Sequence, residues 1–333
     1  MTRIFMDAMG GDHAPGAACE GALLALRADP ELFITLAGVS ELIEPLLKDA
    51  ADVRDRLKVL HAPETISNHE SAALAIRQKK ESAVVMGMLM LREGETDGFV
   101  TAGSTGAVLV GGMLRLGRIP GIERPALAPL MPGSKGHFLL IDCGANVDSK
   151  PEYLAQFGLM GDAYMRRTAG LEKPRVGLVN IGAEEEKGNL LYAAAHQLLK
   201  KESIHFVGNI EARYITEDQA DVLVCDGFDG NIILKYTEGV AAALLKIIKR
   251  ELMADTRSKL GALLAKPAFA RVRKAMDYTE VGGAPLLGVR GAVVKAHGSS
   301  DGKAMHGAIR QTAKMARSGV AAAIEDSLTH QSK

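Results

Sequence analysis

The sequence predicts an α/β protein: a doubly wound, three-layer α/β/α sandwich around a mostly parallel sheet. The first observation is a series of short apolar runs bounded by turn residues, a pattern typical of buried parallel strands. The second is helical periodicity between most of these runs, as in 70–91 and 189–201. The nine predicted strands cover 3–9, 33–38, 57–61, 97–101, 137–143, 175–181, 204–209, 221–226 and 288–296.

The composition is that of an ordinary globular protein. Of 333 residues, 47% are hydrophobic and 24% are charged, which argues against disordered, coiled-coil and collagen-like classes. Lys plus Arg and Asp plus Glu both number 40, and the aromatic content is 4% without tryptophan, so nothing indicates a nucleic-acid partner. Three widely spaced cysteines, Cys19, Cys143 and Cys225, fit no disulfide framework and favour a reducing cytoplasm.

No segment predicts a targeting or membrane-spanning element. The apolar stretch at the N-terminus is too short for a signal-peptide core. No run reaches the roughly 18–20 consecutive apolar residues that a spanning helix needs. We therefore expect a cytoplasmic protein whose membrane contact, if it has any, is peripheral.

The chain shows no repeat, low-complexity tract or linker, which predicts a single α/β domain over 1–333. The exception is 240–277, where no strand is predicted. Two helical runs, 240–263 and 268–277, meet there near Lys266 and Pro267. We interpret this segment as a helical excursion that protrudes from the sheet.

The excursion is basic and amphipathic. Between 246 and 274, nine cations face two acidic residues, a surplus of seven, and apolar residues lie among them. Such a helix pair suits an anionic lipid surface or an acidic carrier protein, and a solvated hairpin or a dimer interface is the alternative. The cations are Lys246, Lys249, Arg250, Arg257, Lys259, Lys266, Arg271, Arg273 and Lys274, and the apolar residues are Ile247, Ile248, Leu252, Leu260, Leu263, Leu264 and Phe269.

Glycines and polar residues follow seven of the predicted strands. Ligands of open α/β sheets bind at the carboxyl ends of the strands. Glycine permits close approach of the backbone, and Ser, Thr or Asn caps the next helix, so such loops bind anions such as phosphate. Turn and capping chemistry explains any single loop, but seven together favour a site. The predicted phosphate- or substrate-binding residues are Asp7, Gly10, Gly11, Asp12, Gly103, Ser104, Thr105, Gly106, Asp142, Gly144, Asn146, Asn180, Gly182, Gly188, Asn189, Asp226, Gly227, Gly230 and Ser299.

Standard nucleotide, metal and nucleophile motifs are absent from the sequence. No two glycines are two residues apart, so a G-x-G-x-x-G loop cannot occur, and 182–188 lacks the Lys-Ser/Thr end of a Walker A loop. The spacing of Asp226 and Asp229 does not fit a calcium loop, and the histidines show no metal-binding spacing. G-x-S-x-G is also missing. We expect no metal and no cofactor, and interpret Cys143 and Cys225 as buried structural residues.

Eight blocks of sequence resemble one family. They are DAMGGDHAP at 7–15, SNHESA at 67–72, TAGSTGA at 101–107, DCGAN at 142–146, NIGAEEEKGN at 180–189, GNIEAR at 208–213, DGFDGN at 226–231 and KAHGSSD at 295–301. In this order, and over nearly the whole chain, they resemble the blocks of the bacterial phosphate acyltransferase family (acyl-ACP:phosphate acyltransferase, PlsX).

This resemblance implies an enzyme that moves a long-chain fatty acyl group from acyl carrier protein to inorganic phosphate. The acyl phosphate then serves the downstream glycerol-phosphate acyltransferase of phospholipid synthesis. The implied fold is like that of isocitrate and isopropylmalate dehydrogenases and is shared with phosphate acetyltransferases. The family is homodimeric, needs no metal, and associates peripherally with the inner face of the membrane.

The resemblance and the required chemistry together suggest catalytic residues. Phosphate attack on a thioester needs an anion cradle, a donor to the oxyanion and a route for the thiolate to leave. We expect Lys187 to hold phosphate or the oxyanion, with a solvated lysine paired to 184–186 as the alternative. We expect Asn231 to donate its amide to the thioester carbonyl, with a helix N-cap as the alternative. Loss of either side chain is expected to abolish turnover.

Other polar residues are assigned supporting roles. His13 and His297 could protonate the departing thiolate, although a histidine in a capped loop is often structural. The carboxylates of Asp7, Asp12, Asp142 and Asp226 are expected to orient the backbone and nearby cations, since bare carboxylates oppose phosphate. Asp229 stands where the family pattern has Thr, and we expect its carboxylate to point away from the phosphate.

Three other functions stay open on the sequence alone. A phosphate acetyl- or butyryltransferase that uses coenzyme A would share the fold and the chemistry. A metal- and NAD-dependent decarboxylating dehydrogenase would share the fold only. A non-catalytic membrane scaffold could use the same basic excursion.

Overall fold

The computed structural model describes residues 1–275 and 282–329, with the backbone alone at 273–275. Its strands are β1 (Thr2–Asp7), β2 (Leu32–Gly38), β3 (Leu57–His61), β4 (Gly98–Thr101), β5 (Ala126–Leu127), β6 (Leu130–Gly133), β7 (Gly136–Ile141), β8 (Arg175–Asn180), β9 (His205–Glu211), β10 (Val222–Val224), β11 (Ala284–Leu287) and β12 (Ala292–Lys295). Its α-helices are α1 (Gly16–Ala28), α2 (Ser40–Ile43), α3 (Ala72–Gln78), α4 (Ala83–Arg92), α5 (Thr105–Gly111), α6 (Pro151–Ala169), α7 (Leu190–Leu199), α8 (Gly227–Leu252), α9 (Thr256–Ala275), α10 (Gly302–Ser318) and α11 (Val320–Thr329).

The strands form two sheets. A seven-stranded sheet has the order β3-β2-β1-β4-β12-β11-β5, and a five-stranded sheet has the order β6-β7-β10-β8-β9. Most neighbours are parallel, and the antiparallel pairs involve β11 and β6. The α/β class and the mostly parallel arrangement are therefore confirmed, whereas the apolar runs did not indicate that the strands divide between two sheets.

The sequence pattern missed β5, β6 and β11, which are two to four residues long. Two of them contain proline, Pro132 in β6 and Pro285 in β11, and all are too short for a clear apolar run. The predicted strand 288–296 is also shorter than expected, because a turn with Gly288 and Gly291 precedes β12. Proline and glycine limit the length of the strands in this part of the chain, although the apolar residues alone predict longer strands.

Two helical predictions need correction. The segment 70–91 forms two helices, α3 and α4, because Ser82 starts a new one by accepting a hydrogen bond from the Val85 backbone N–H at 3.4 Å. The helical excursion begins at Gly227 rather than at 240, and its two helices meet at 253–255 rather than at Lys266 and Pro267. Asp255 accepts a hydrogen bond from the Ser258 N–H at 2.9 Å where α9 starts, and Pro267 lies inside α9. The part of 268–277 beyond Ala275 lies outside the described residues.

A common apolar core joins the two sheets. Its largest cluster includes Ile4 of β1 and Leu139 of β7, so it draws on both sheets. Helices α6 and α10 contribute to the same cluster, and Gln311 of α10 donates a hydrogen bond to the hydroxyl of Tyr164 of α6 at 3.1 Å. Burial of each large side chain contributes about 1.5–3 kcal/mol. The core thus packs the two sheets together, while their carboxyl ends carry the polar loops.

Candidate active site

A cavity of about 350 Å³ lies where the carboxyl ends of the two sheets face each other. Four of the predicted site residues line it: Thr105, Gly144, Asn231 and His297. Thr105 follows β4 and His297 follows β12 in the seven-stranded sheet, whereas Gly144 follows β7 and Asn231 follows β10 in the other sheet. The structure therefore brings together residues from four of the predicted loops.

One wall of the cavity is the beginning of α8. Asn231, Leu234, Lys235 and Glu238 recur at the spacing of one helix face, and all four line the cavity. Asp226 caps this helix by accepting a hydrogen bond from the Asp229 backbone N–H at 2.7 Å. Asn231 is therefore not the N-cap, and its exposed amide is available to a ligand.

Glycine allows α8 to approach the end of β7. A Cβ atom at Gly230 would collide with the carbonyl oxygen of Asp142. Gly144 has a φ of 106°, a conformation that favours glycine, and it lies against the Asn231 side chain. These two contacts position Asn231 at the cavity, and Gly227 makes a similar close approach to Asn146.

The opposite wall is formed by the loop that follows β12. Lys295 donates a hydrogen bond from Nζ to the carbonyl oxygen of Ala296 at 2.6 Å, and burial together with nearby Lys235 lowers the pKa of Lys295 to about 8. The Nδ1 atom of His297 lies 2.8 Å from Ser299 Oγ and 3.2 Å from the Ser299 backbone nitrogen. Burial and Lys235 lower the pKa of His297, which disfavours an imidazolium in this position.

The two walls meet at Lys235. Its Nζ atom donates to Glu238 Oε2 at 2.8 Å and lies 3.5 Å from Nε2 of His297. Nδ1 of a neutral His297 ring can accept from the Ser299 N–H or donate to Ser299 Oγ, according to the tautomer. Among the described residues, the cavity lining therefore combines two lysines, a histidine and an amide with one carboxylate, that of Glu238.

The predicted carboxylates Asp7 and Asp142 hold backbone in place. Asp7 accepts a hydrogen bond from Thr101 Oγ1 at 2.7 Å, which ties the end of β1 to the end of β4. Asp142 accepts bonds from the backbone N–H groups of Leu127 at 2.9 Å and Asn146 at 2.7 Å. Burial raises the pKa of both carboxyls, that of Asp142 to about 6. Both carboxylates therefore hold backbone groups at the ends of their strands, and their orienting role in the reaction stays a prediction.

The loops after β1, β4 and β12 contact one another beside the cavity. The Asp12 N–H donates to the carbonyl oxygen of Gly298 at 2.7 Å, and a Cβ at Gly10 would clash with the Gly103 nitrogen. Ser104 caps α5. Gly11 and Gly106 belong to the same loops, and His13 is exposed just before α1. None of the seven predicted site residues in these loops lines the cavity: Gly10, Gly11, Asp12, His13, Gly103, Ser104 and Gly106.

The loop after β8 lies away from the cavity lining. Asn180 donates from Nδ2 to the carbonyl oxygen of Lys187 at 3.0 Å, and Asn189 caps α7. Gly182 and Gly188 form the turns of this loop, and the Lys187 side chain is exposed. Within 1–275 and 282–329 Lys187 makes no ion pair with 184–186, where Glu185 instead binds Lys200 at 2.7 Å. The structure thus does not bring Lys187 into the cavity with Asn231.

A buried tyrosine connects this outer loop to α8. The Tyr192 hydroxyl of α7 donates to Asp229 Oδ2 at 2.6 Å and accepts from the Asp226 backbone N–H at 3.2 Å. Burial and the neighbouring carboxylates raise the pKa of Tyr192, so the hydroxyl keeps its proton. The Asp229 carboxylate is bound by Tyr192 and does not line the cavity. Its orientation relative to bound phosphate stays a prediction.

Sequence reasoning missed several residues of the cavity. Lys295 opens the block KAHGSSD but received no role, and Lys235 lies one helical turn beyond Asn231. An apolar side of the cavity, with Leu130, Met131 and Leu234, comes partly from the unpredicted strand β6. Cys143 also lines the cavity, where burial and Asp142 raise its pKa well above the ordinary value and disfavour a thiolate.

Comparison with known proteins identifies the family. The model of the family described as fatty acid synthesis protein matches residues 2–323. Phosphate acyltransferase from Alkaliphilus oremlandii is 48% identical over 312 residues, 94% of this chain and 93% of that protein. Phosphate acyltransferase from Clostridium botulinum is 50% identical over 312 residues, 93% of this chain and 94% of that protein. The chain belongs to the phosphate acyltransferase family.

Solved structures of distant proteins share the fold of this phosphate acyltransferase family member. A phosphotransacetylase from Streptococcus pyogenes superposes with a TM-score of 0.63 at 16% identity, covering 95% of this chain and 94% of that one. A 4-hydroxythreonine-4-phosphate dehydrogenase from Klebsiella pneumoniae gives a TM-score of 0.53 at 13% identity, covering 95% and 98%. The expected fold, common to phosphotransacylases and a class of dehydrogenases, is confirmed.

Family membership makes the chain an acyltransferase of fatty acid synthesis. It thus favours acyl transfer over the dehydrogenase and scaffold alternatives. In the part of the chain that the structure describes, no group of three or more His, Cys, Asp or Glu side chains is arranged to hold a metal ion. No helix of that part is long and apolar enough to cross a membrane.

Proposed function

We propose that the protein transfers a long-chain fatty acyl group from acyl carrier protein to inorganic phosphate and so produces acyl phosphate for phospholipid synthesis. The main support is the cavity between the two sheets, in a member of this family. Its lining combines cationic and amide groups with apolar side chains. An anionic acceptor and an apolar acyl chain are the two substrates that such a cavity suits.

The reaction needs few groups from the protein. A phosphate oxygen attacks the thioester carbonyl carbon, a C–O bond forms, and the C–S bond breaks with its electron pair on sulfur. The proton that phosphate loses ends on the thiolate, so atoms and charge balance. Positioning of the two substrates and stabilisation of the oxyanion therefore supply most of the rate enhancement.

Asn231 is placed to stabilise the oxyanion. Its amide lies on the α8 wall, beside Gly144, in the same cavity as Lys235, Lys295 and the apolar residues Leu130 and Met131. An amide N–H donates to a developing oxyanion without adding charge that would compete with the phosphate. His297 enters this scheme as a neutral imidazole, because its pKa is lowered.

The basic helical excursion supports a peripheral location on the inner face of an anionic membrane. The hairpin of α8 and α9 exposes Leu260, Leu263 and Leu264 by 62%, 67% and 77%. Lys259 and Lys266 lie next to these leucines in the same helix. Exposed apolar side chains flanked by cations bind anionic lipid surfaces. A homodimer and hand-over to the glycerol-phosphate acyltransferase, which the family resemblance implies, stay predictions.

The first experiment tests donor, acceptor and product together. Purified protein is incubated with long-chain acyl carrier protein, with and without inorganic phosphate, while free carrier thiol and hydroxylamine-trappable acyl phosphate are measured. We expect both products only when phosphate is present. If neither forms in protein shown to be folded, the proposal is wrong. If acyl coenzyme A is the much better donor, the coenzyme A alternative replaces it.

A second experiment tests the membrane contact. The triple variant Leu260→Ser, Leu263→Ser, Leu264→Ser should lose flotation with anionic liposomes, since three exposed apolar side chains no longer enter the lipid. Leu42, Leu46 and Leu74 are exposed by 51%, 46% and 55% elsewhere on the surface, and their change to Ser gives a matched control that should float as the parent does. Unchanged flotation of the first variant would refute the lipid contact.

A further inference from the structure

We propose that Lys295, a residue with no assigned role, is the principal ligand of the phosphate acceptor. This inference rests on the proposed function and names the group that binds one of its two substrates. Lys295 lines the same cavity as Asn231 and His297. The acceptor would therefore lie against the loop after β12, across the cavity from α8.

The backbone of Lys295 is held firmly. It is the last residue of β12 and pairs with Thr101 of β4 on one side and Ala284 of β11 on the other. These strands lie inside the seven-stranded sheet, so the side chain starts from a fixed position at the edge of the cavity. A ligand group on a rigid element loses little entropy when it binds.

The ammonium group is oriented but not neutralised. It donates to the carbonyl oxygen of Ala296 at 2.6 Å and lies 3.5 Å from that of Ala102. An ammonium has three N–H donors, so capacity is left for a ligand. Within 1–275 and 282–329, no ion pair includes Lys295, whereas Lys235 on the opposite wall is paired with Glu238 at 2.8 Å. Lys295 is therefore the less compensated of the two cations in the cavity.

The surroundings of Lys295 favour an anion. Burial and Lys235 lower its pKa to about 8, and Asp12 opposes this shift only in part. A partly buried cation beside a second cation gains from a dianion that lies between them, since each charge is then compensated where water is scarce. Phosphate bound there would share the cavity with a thioester whose acyl chain contacts Leu130 and Met131, which line the same cavity.

Lys187 does not offer an equivalent site. Its side chain is exposed, and it does not line the cavity. A solvated lysine holds an anion weakly because water screens the interaction. The acceptor therefore lies at Lys295, the last residue of β12, and not at Lys187 in the loop after β8.

The test measures phosphate binding directly, apart from turnover. Phosphate is titrated into the full-length protein by isothermal titration calorimetry, for the parent, Lys295→Met and Lys295→Arg. We expect Lys295→Met to raise the Kd for phosphate about 10- to 100-fold, because a hydrogen bond from a cation is lost. We expect Lys295→Arg to recover most of the affinity. Lys314→Met, an exposed lysine on α10, is the matched control and should leave the Kd unchanged.

Kinetics give a second readout. In Lys295→Met the KM for phosphate should rise in parallel with the Kd, while the KM for acyl carrier protein changes by less than about 2-fold. A merely structural role would disturb both substrates. If Lys295→Met folds poorly, the comparison of the parent with Lys295→Arg over pH decides instead.

The pH profile isolates the charge of Lys295. In the parent, the Kd for phosphate should rise as the pH passes above about 8, because the free amine replaces the ammonium. In Lys295→Arg this rise should vanish, because arginine stays charged. The other titratable or charged groups around Lys295 in the described residues are the same in both proteins: Asp7, Asp12, Cys143, Lys235, Glu238 and His297.

The outcomes separate the two proposals. If the parent binds no phosphate and shows no phosphate-dependent turnover, the proposed function fails, and this inference fails with it. If the parent binds and uses phosphate but Lys295→Met binds it within about 2-fold of the parent, only this inference is overturned. A pH profile of Lys295→Arg identical to that of the parent would overturn it as well.

Discussion

Two lysines of this protein lie at or beyond the carboxyl end of a parallel strand, and only one of them lines the cavity. Lys187 follows β8 in a loop with Gly182 and Gly188, is exposed, and lies outside the cavity lining. Lys295 is the last residue of β12, is half-buried, and lines the cavity. The local sequences are similar in kind, so position in the sheets makes the difference. A lysine at a strand end becomes part of a site only where that end faces the other sheet.

The largest expected effect is a loss of turnover on removal of Asn231, which lines the cavity together with Lys295. Asn231→Ala should lower kcat about 10²- to 10³-fold, because a donor to the oxyanion is lost. The KM for phosphate should change little. Steady-state kinetics with varied phosphate measure both, and Gln78→Ala, an exposed amide at the end of α3, is the control. Activity near that of the parent would show that Asn231 does not stabilise the oxyanion.

The next effect tests how α8 reaches the cavity. Gly230→Ala should destabilise the protein by about 1–3 kcal/mol, since the new Cβ would collide with the Asp142 carbonyl. It should also lower turnover, because Asn231 is the next residue. Gly239→Ala in the same helix has nothing within 4 Å of its Cβ and should leave stability equal or about 1 kcal/mol higher. Urea unfolding of the two variants measures the difference, and equal stability would contradict the close approach.

A smaller effect concerns the link between the two sides. Tyr192→Phe should cost about 1–2 kcal/mol of unfolding free energy, because Asp229 and the Asp226 N–H both lose their hydroxyl partner. Tyr236, exposed by 72% on α8, provides the control Tyr236→Phe. Denaturation midpoints of the two variants measure the cost. Indistinguishable midpoints would mean that the outer loop and α8 are not coupled through this hydroxyl.

The smallest expected effect is at Lys187 itself. The sequence alone suggested that its loss abolishes turnover, but its exposed position predicts less. Lys187→Ala should lower kcat/KM for acyl carrier protein about 2- to 5-fold at low salt, an effect that fades at high salt, and should leave the KM for phosphate unchanged. Initial rates at two ionic strengths measure this. A loss as large as that of Asn231→Ala would contradict the distinction between Lys187 and Lys295, since Lys187 would then have to reach the reacting atoms.

Local sequence signals explain how much of the fold could be predicted. The apolar runs at 33–38 and 57–61 coincide closely with β2 and β3, because short apolar runs bounded by turn residues are typical of strands. β5 and β11 escaped because they are too short for that signal, and they exist through their pairing with each other. The break at 253–255 in the excursion was not predicted, because Pro267 suggested a helix end where α9 continues, whereas Asp255 caps the start of α9.

Some residues of the candidate site could be predicted from the sequence, and others could not. Asn231 and His297 could be found from the polar residues that follow strands and from the resemblance of their blocks to one family. Lys235 could not, since nothing in its local sequence distinguishes it from the other lysines of α8. Its place in the site depends on α8 packing across β7, where Glu238 and His297 are its neighbours.

By itself, the sequence determined the α/β class, the polar loops at the strand ends and the family. These features depend on residues close together in the chain, or on blocks whose order can be read directly. Only the tertiary structure decided that the strands divide into two sheets, that the loops after β12 and β7 face each other, and that Lys295 rather than Lys187 enters the cavity. The physical reason is that strand pairing and packing join residues far apart in sequence, and burial, which sets the charge environment of each lysine, follows from that packing.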